Sequence, residues 1–256
     1  MSVNNKHKET LLGFLKDYSD CYVIIGGIAT SFILDKYGLH SRVTKDFDIV
    51  LITSIGNNNF SNAISDMIMS GEYKHSYSNN KKNAYRFIAP KNENYPQEIE
   101  FFAEDNNLPH SIDRRFEKLE IEIDEDKISA IVLEKELYEF VCRHRIVDDG
   151  LSIIDRDALI VTKVLAFYKN KELYENNRKV DESDYKKHRA DIIDLLSTYS
   201  RDDNHKIEDL PSTLIEYILA FYKELLSSSS KQIAKTKRVP IDDLIAIYDN
   251  VFISNH

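Results

Sequence analysis

The chain has 256 residues, of which 42% are hydrophobic, enough for one large domain or two modest ones with a sizeable core. Its formal net charge of -9 argues against a protein that coats nucleic acid through a wholly basic surface. No apolar run approaches the roughly 18 residues of a membrane span and the N-terminus is polar, so we expect a cytoplasmic protein without a membrane partner.

The first half of the chain alternates helical and strand patterns. In chain order we expect a helix over 9–18, a strand over 21–25, a helix over 29–37, a strand over 45–52, a helix over 57–69, strands over 84–89 and 98–103, and a hairpin over 119–133. Two glycines, Gly26 and Gly27, end the first strand and precede the second helix.

Strand signals almost disappear after residue 133. We expect helices over 134–144, 156–170, 183–199, 212–226 and 241–253, with the serine run at 227–230 as a loop. The pattern predicts an α+β protein in which a mixed sheet with flanking helices (1–133) is followed by a mostly helical C-terminal domain (134–256).

The first candidate feature is the pair Gly26-Gly27, between an apolar strand and the start of a helix. Glycine lets the backbone approach a ligand closely, and the free N–H groups at a helix start favour an anion there. This position therefore suits a phosphate. A plain tight turn is the alternative, and the glycine pair alone does not separate the two.

Asp46 and Asp48 form the second feature, near the start of the predicted strand over 45–52. Alternate side chains of a strand share a face, so the two carboxylates would project together while Phe47 and Ile49 point the other way. Two neighbouring carboxylates beside a phosphate site suit Mg²⁺, which prefers hard oxygen ligands. The alternative is two solvent-facing aspartates in a turn that opens the strand.

A third carboxylate is available on the strand over 98–103, where Glu98 and Glu100 share a face. Glu100 lies deeper in the apolar run and is the preferred metal ligand, with Glu98 as the second choice. An ordinary solvated strand face is the alternative for both. Three convergent acids can hold two metal ions for in-line phosphoryl transfer.

Lys163 is the remaining candidate, because the helix around it is mostly apolar from Ala158 to Tyr168 and would carry the lysine inward. An ammonium group is rarely buried without a counter-charge, so Lys163 needs an anion.

Together these residues resemble a known family. The segments Ile25-Gly26-Gly27-Ile28-Ala29 and Arg42-Val43-Thr44-Lys45-Asp46-Phe47-Asp48-Ile49, followed by a strand with glutamates, look like the nucleotidyltransferase core of the polymerase-beta superfamily. Within it, the likeness is greatest to the AbiEii-type toxin nucleotidyltransferases. The core resemblance covers roughly 21–103, with a second match in the helical half.

The resemblance implies a nucleotidyltransferase-type sheet and roles for its residues. Gly26 and Gly27 would bear the nucleotide phosphates, Asp46 and Asp48 would bind magnesium, and Glu100 would help to activate the acceptor.

One departure concerns hydroxyl groups. Many superfamily members have serine where Gly27 stands, and related members with a glycine pair often have threonine where Ile28 stands. The hydroxyl of Thr30 or Ser31 is the candidate replacement for contact with the nucleotide.

In the AbiEii-type pattern a lysine in the position of Lys163 faces the triphosphate. A following helix that is rich in aspartate lies beside it in that pattern, and Asp191 matches it here. Asp191 would orient that lysine or bind the acceptor. A buried Lys163–Asp191 ion pair without a catalytic part is the interpretation that stays open beside these roles.

The resemblance implies transfer of a nucleoside monophosphate from a nucleoside triphosphate to a hydroxyl, with release of pyrophosphate and two-metal catalysis. The acceptor would be a tRNA end, a protein side chain or a small molecule. Proteins of this type often act as the toxin of a toxin-antitoxin or phage-defence pair, which implies an antitoxin partner. The alternative is a nucleotide-binding or regulatory module with the same fold and no turnover, suggested by the missing hydroxyl near Gly27.

Overall fold

A computed structural model of the chain describes residues 3–44, 46–52, 58–77, 84–102, 122–123, 133–176, 180–200, 203 and 205–253. Within these residues the chain forms a mixed sheet with helices, which confirms the predicted α+β class. No helix in the described ranges combines the length and the apolar character needed to cross a membrane.

The eight described strands are β1 (Tyr22–Ile25), β2 (Asp46–Leu51), β3 (Lys74–Tyr77), β4 (Ala84–Ile88), β5 (Glu98–Phe102), β6 (Glu122–Ile123), β7 (Arg145–Asp148) and β8 (Leu151–Ile154). The α-helices are α1 (Val3–Leu15), α2 (Gly26–Lys36), α3 (Asn58–Gly71), α4 (Lys135–Arg143), α5 (Arg156–Glu175), α6 (Glu182–Leu196), α7 (Ile215–Leu225), α8 (Ser228–Lys237) and α9 (Ile241–Tyr248). Short 3₁₀ turns at Lys16–Tyr18 and Ser212–Leu214 and a π-helix at Asp249–Ile253 complete the described elements.

All eight strands belong to one sheet, in the order β6-β3-β4-β5-β2-β1-β8-β7. β2 and β5 lie side by side and run parallel, and β1 runs antiparallel to β2 and parallel to β8. β4 is antiparallel to both of its neighbours, β3 and β5. The strands that carry the predicted acids, β2 and β5, are therefore adjacent in the middle of the sheet.

The chain divides into two compact units. The sheet unit comprises residues 1–31 and 42–155, and the helical unit comprises residues 32–41 and 156–256. The sequence had suggested a division at 133/134. The difference arises because β8 pairs with β1 and β7 with β8, so the segment after residue 134 belongs with the sheet.

In the sheet unit, β1 is buried along its whole length and α1 packs on one face of the sheet. The ring of His7 on α1 makes an edge contact with the ring of Phe47 on β2, with centroids 5.9 Å apart. Phe47 and Ile49 are fully buried, whereas Asp46 is exposed and Asp48 half-buried. The alternation expected for this strand is thus present, and the two carboxylates project from the face that Phe47 does not occupy.

The helical unit is organised around α5, whose residues from Ala158 to Phe167 are all buried. A helix that is apolar all round needs partners on several sides. These are α6 and α7, which contribute Ile192, Ile193 and Phe221, and the ring of Phe221 contacts that of Phe167 on α5.

Two features differ from the sequence expectation. The strands β3, β7 and β8 had not been predicted, and the serine run expected as a loop begins α8, with Ser227 as its N-cap. The hairpin predicted over 119–133 lies almost entirely outside the described residues. Of that segment only β6 and Leu133 are described, and β6 pairs with β3.

Candidate active site

The turn between β1 and α2 requires glycine at both of its first positions. Gly26 has a φ of +71°, and a Cβ atom built on it would lie 1.9 Å from Asp48 Oδ2. A Cβ atom on Gly27 would lie 2.5 Å from Thr44 Oγ1. A side chain at either position would displace these neighbours, so packing within the chain already gives a reason for the glycine pair.

The close approach of Asp48 to Gly26 follows from strand pairing. In the antiparallel ladder between β1 and β2, Ile25 lies opposite Asp48, so the next residue, Gly26, starts α2 beside that carboxylate. The start of a helix and a carboxylate pair are thereby adjacent in the sheet unit. Helix N-termini favour anions, and carboxylates favour cations.

The acids of β2 and β5 form a continuous group. In the parallel ladder Asp46 lies opposite Glu98, and Asp48 lies opposite Glu100. Directly paired residues on neighbouring strands project from the same face about 5 Å apart. We call these four residues the carboxylate row. Both glutamates considered from the sequence belong to it.

Arg86 on β4 lies beside the carboxylate row and had not been singled out from the sequence. Its Cα partner across the β4–β5 ladder is Glu100. The guanidinium pairs with Glu98, and its Nε lies 3.4 Å from Glu100 Oε1. That Nε is buried and makes no hydrogen bond among the described residues. Arg86 therefore contributes one positive charge to a group of four acidic residues.

The acidic residues around Arg86 act on the pKa of its guanidinium. Burial alone would lower the pKa of the guanidinium, but its hydrogen bond to Glu98 and the negative charges of the row outweigh burial and raise that pKa. Arg86 is thus a permanent cation at this position. The signal that could have found it is its place in the predicted strand over 84–89, on the face that meets the glutamates.

The Thr30 hydroxyl, predicted to contact the nucleotide, hydrogen-bonds to the backbone in the structure. Thr30 is buried, and its Oγ1 donates a hydrogen bond of 2.9 Å to the carbonyl oxygen of Gly26. Ser31 is fully buried. The threonine hydroxyl thus stabilises the first turn of α2, and its contact with a nucleotide stays a prediction.

Whether magnesium fits this site depends on which oxygen donors the side chains offer. No group of three or more His, Cys, Asp or Glu side chains is placed to hold a metal ion in the part of the chain that the structure describes. Asp46 and Asp48 offer two hard oxygen donors on one face, while Glu98 and Glu100 are engaged by Arg86. Because magnesium commonly uses one or two carboxylates together with phosphate oxygens, the pair Asp46 and Asp48 fits it.

In the helical unit, Lys163 and Asp191 form a buried ion pair. Lys163 Nζ donates to Asp191 Oδ2 at 2.6 Å, and the two side chains are only 3% and 4% exposed. The expected counter-charge for the lysine is therefore Asp191. The roles of this pair toward a triphosphate or an acceptor stay predictions.

A second acid of α6 anchors α8 beside this pair. Asp194, one turn after Asp191, accepts a hydrogen bond from Lys237 Nζ at 2.7 Å. Burial raises the pKa of Asp194, and the contact with Lys237 opposes that rise. The two residues are 43 positions apart, and no local pattern predicts that they pair.

Comparison of the chain with protein-family models and with curated proteins gives no match. The resemblance to nucleotidyltransferases therefore rests on the residues and spacing themselves.

Proposed function

We propose that this chain is a magnesium-dependent nucleotidyltransferase with a fold of the polymerase-beta type, similar to the AbiEii-type toxins. It would transfer a nucleoside monophosphate from a nucleoside triphosphate to a hydroxyl acceptor. The observation that carries the proposal is the carboxylate row, in register on two adjacent strands, with Asp48 against the Gly26 turn at the start of α2.

The proposed roles follow from charge. The first N–H groups of α2 would bind phosphate oxygens of the nucleotide, because a helix start carries unpaired donors and partial positive charge. Asp46 and Asp48 would hold the cation beside this phosphate site. Magnesium, when bound, would neutralise the triphosphate and offset the charge that develops on the leaving group.

In the proposed reaction the acceptor oxygen bonds to the α-phosphorus, and the bond from that phosphorus to the bridging oxygen of the β-phosphate breaks. Pyrophosphate leaves with the electron pair of that bond. The proton of the acceptor hydroxyl passes to a carboxylate of the row, for which Glu100 is the candidate. Lys163 is the candidate cation toward the triphosphate, and Asp191 would orient it.

The acceptor class is open among a tRNA end, a protein side chain and a small molecule. A toxin role with a neighbouring antitoxin partner is part of the same proposal.

Label transfer tests the proposal directly. The purified chain would be incubated with α-³²P-labelled nucleoside triphosphates, Mg²⁺ and separate fractions of RNA, protein and small molecules from a cell extract. We expect label in one fraction and, from the D46N/D48N variant, a loss of at least about 100-fold in rate, since magnesium positioning supplies several kcal/mol of transition-state stabilisation.

The matched control is D17N/D66N, which removes two exposed aspartates of the same unit and should leave transfer unchanged. Equal transfer by D46N/D48N and the control would show that the row does not carry the activity.

A nucleotide-binding module without turnover is the second candidate. It is favoured by the engagement of Glu100 with Arg86 and of the Thr30 hydroxyl with Gly26. It predicts saturable binding of a labelled triphosphate, abolished in D46N/D48N, with no transfer to any fraction. Transfer in the first experiment excludes it.

A further inference from the structure

The four acids of the carboxylate row differ in their contacts. Glu98 and Glu100 pair with the Arg86 guanidinium, and Asp48 lies against the Gly26 turn. Asp46 is exposed at the start of β2 and acts on Arg86 through its charge, without an ion-pair contact among the described residues. The three side chains of the arginine cluster are each less than one-fifth exposed, at 18% for Arg86, 17% for Glu98 and 12% for Glu100. This limited exposure keeps the guanidinium from being screened as fully as a surface charge would be.

A guanidinium in this position does what a metal ion would do for the two glutamates. It neutralises charge and fixes both carboxylates from one side, with donors arranged in a rigid fork. A divalent ion at the same glutamates would have to displace the arginine or share the site with it. Because the guanidinium keeps its positive charge, it repels a divalent ion placed at the same carboxylates.

We propose that Arg86 is a built-in counter-cation that reserves Glu98 and Glu100, so that the carboxylate row takes one divalent ion, at Asp46 and Asp48. Arg86 is a positioning residue: it acts through the two glutamates. This inference rests on the proposed function and departs from the two-metal expectation drawn from the sequence.

Metal stoichiometry tests the proposal without an activity assay. The full chain, free of nucleotide, would be titrated with Mn²⁺, and the free ion would be followed by its electron paramagnetic resonance signal. We expect one bound Mn²⁺ in the wild-type chain, two in R86Q and one in R86K, which keeps the charge. R145Q is the matched control, because it removes another ion-paired arginine of the sheet unit, and it should bind one ion.

A second variant covers the case in which R86Q does not fold. E98Q removes a carboxylate that the proposal assigns to Arg86, so the dissociation constant for Mn²⁺ should stay within about threefold of wild type. Loss of a metal ligand or of its immediate support typically weakens binding by about 10- to 100-fold. D46N/D48N should bind no ion.

Several results would overturn the inference. These are two ions in the wild-type chain, one ion in folded R86Q, no ion in the wild-type chain, and binding at least tenfold weaker in E98Q. The proposed function fails separately, when D46N/D48N transfers label as well as D17N/D66N does. If the wild-type chain transfers label and also binds two ions, the proposed role of Arg86 is wrong, whereas the proposed nucleotidyltransferase activity stands.

Discussion

At the scale of single residues, the absence of a side chain at Gly26 makes room for the Asp48 carboxylate. The Asp48 carboxylate lies where a side chain of residue 26 would begin, so the turn and the acid can only coexist with glycine there. A carboxylate held against the backbone at a helix start is also fixed in direction. Preorganised ligands of this kind are what a cation site needs.

Gly26→Ala should destabilise the chain more than Gly38→Ala does. Both glycines have positive φ, at +71° and +67°, so each substitution adds backbone strain of about 1 to 2 kcal/mol. Only at Gly26 must a neighbouring group also move, because the space around Gly38 is open. Urea unfolding of both variants measures the difference. Equal losses of unfolding free energy would show that Asp48 can move away from the alanine side chain at little cost.

Lys163 and Asp191 should behave as a structurally coupled pair. Removing one partner of a buried ion pair leaves an uncompensated charge and typically costs about 3 to 5 kcal/mol. We therefore expect large losses of unfolding free energy in K163M and in D191L, and a smaller loss in the double variant K163M/D191L.

The control for this pair is K171M on the same helix. Lys171 is half-exposed and 3.9 Å from Glu175, so its loss should have a much smaller effect. Losses in the double variant equal to the sum of the single losses would contradict the coupling.

At the scale of elements, α1 is attached to the sheet through a histidine that should make stability depend on pH. His7 is 2% exposed, its Nδ1 makes no hydrogen bond among the described residues, and burial lowers its pKa below the ordinary value of 6.5. The unfolded chain therefore takes up a proton near pH 6.5 that the folded chain does not. The stability contribution is complete above that pH and is lost as the pH falls toward the folded pKa.

His7→Gln should reduce this acid sensitivity. Between pH 7.5 and 5.5 the wild-type chain should lose more unfolding free energy than the variant, by at most about 1.4 kcal/mol per pH unit. The exposed residue His40 provides the control, since His40→Gln should leave the wild-type slope. A variant with the full wild-type slope would show that His7 is not the titrating group.

Most elements with a strong local pattern were predictable, and several that depend on distant partners were not. β1 is a continuous apolar run, β2 and β5 alternate before an apolar end, and α5 is mostly apolar from Ala158 to Tyr168, so local sequence specified them. β8 is also buried, but its four residues are too few to separate from the start of α5 by pattern alone. β7 shows no such pattern, since its residues Ile146 and Val147 are exposed, and it forms a strand because it pairs with β8. α8 was missed because serine favours loops, although it also favours the N-cap that Ser227 provides.

The candidate site was predictable in part for the same reason. Alternation along one strand places Asp46 beside Asp48, and along another it places Glu98 beside Glu100. Which strands are adjacent is a property of the whole sheet. The register that sets Asp48 opposite Glu100, and the arrival of Arg86 from β4, could not be deduced from spacing.

At the scale of the whole molecule, the chain passes between its two units more than once. Residues 32–41 belong to the helical unit although the residues on either side belong to the sheet unit. In the helical unit, this segment supplies Tyr37, whose hydroxyl accepts a hydrogen bond from Arg156 at 3.3 Å. A single cut therefore cannot separate the two units cleanly.

Truncation should reveal where the sheet unit ends. A chain that stops after residue 155 keeps β8, whereas one that stops after residue 133 loses the strand that pairs with β1. We expect a cooperative thermal transition by circular dichroism in the longer chain and none in the shorter one. The same transition in both would show that α4, β7 and β8 are dispensable for the sheet.

The pairing of β1 with β8 also governs when the protein can fold during synthesis. Tyr22 and Ser152 bond to each other across 130 positions of sequence, through the serine hydroxyl and the tyrosine carbonyl at 2.5 Å. At about 5 to 20 residues per second, roughly 6 to 26 s separate the emergence of these partners from the ribosome. For that interval the buried strand β1 lacks one neighbouring strand, so co-expression of a chaperone should increase the yield of native protein.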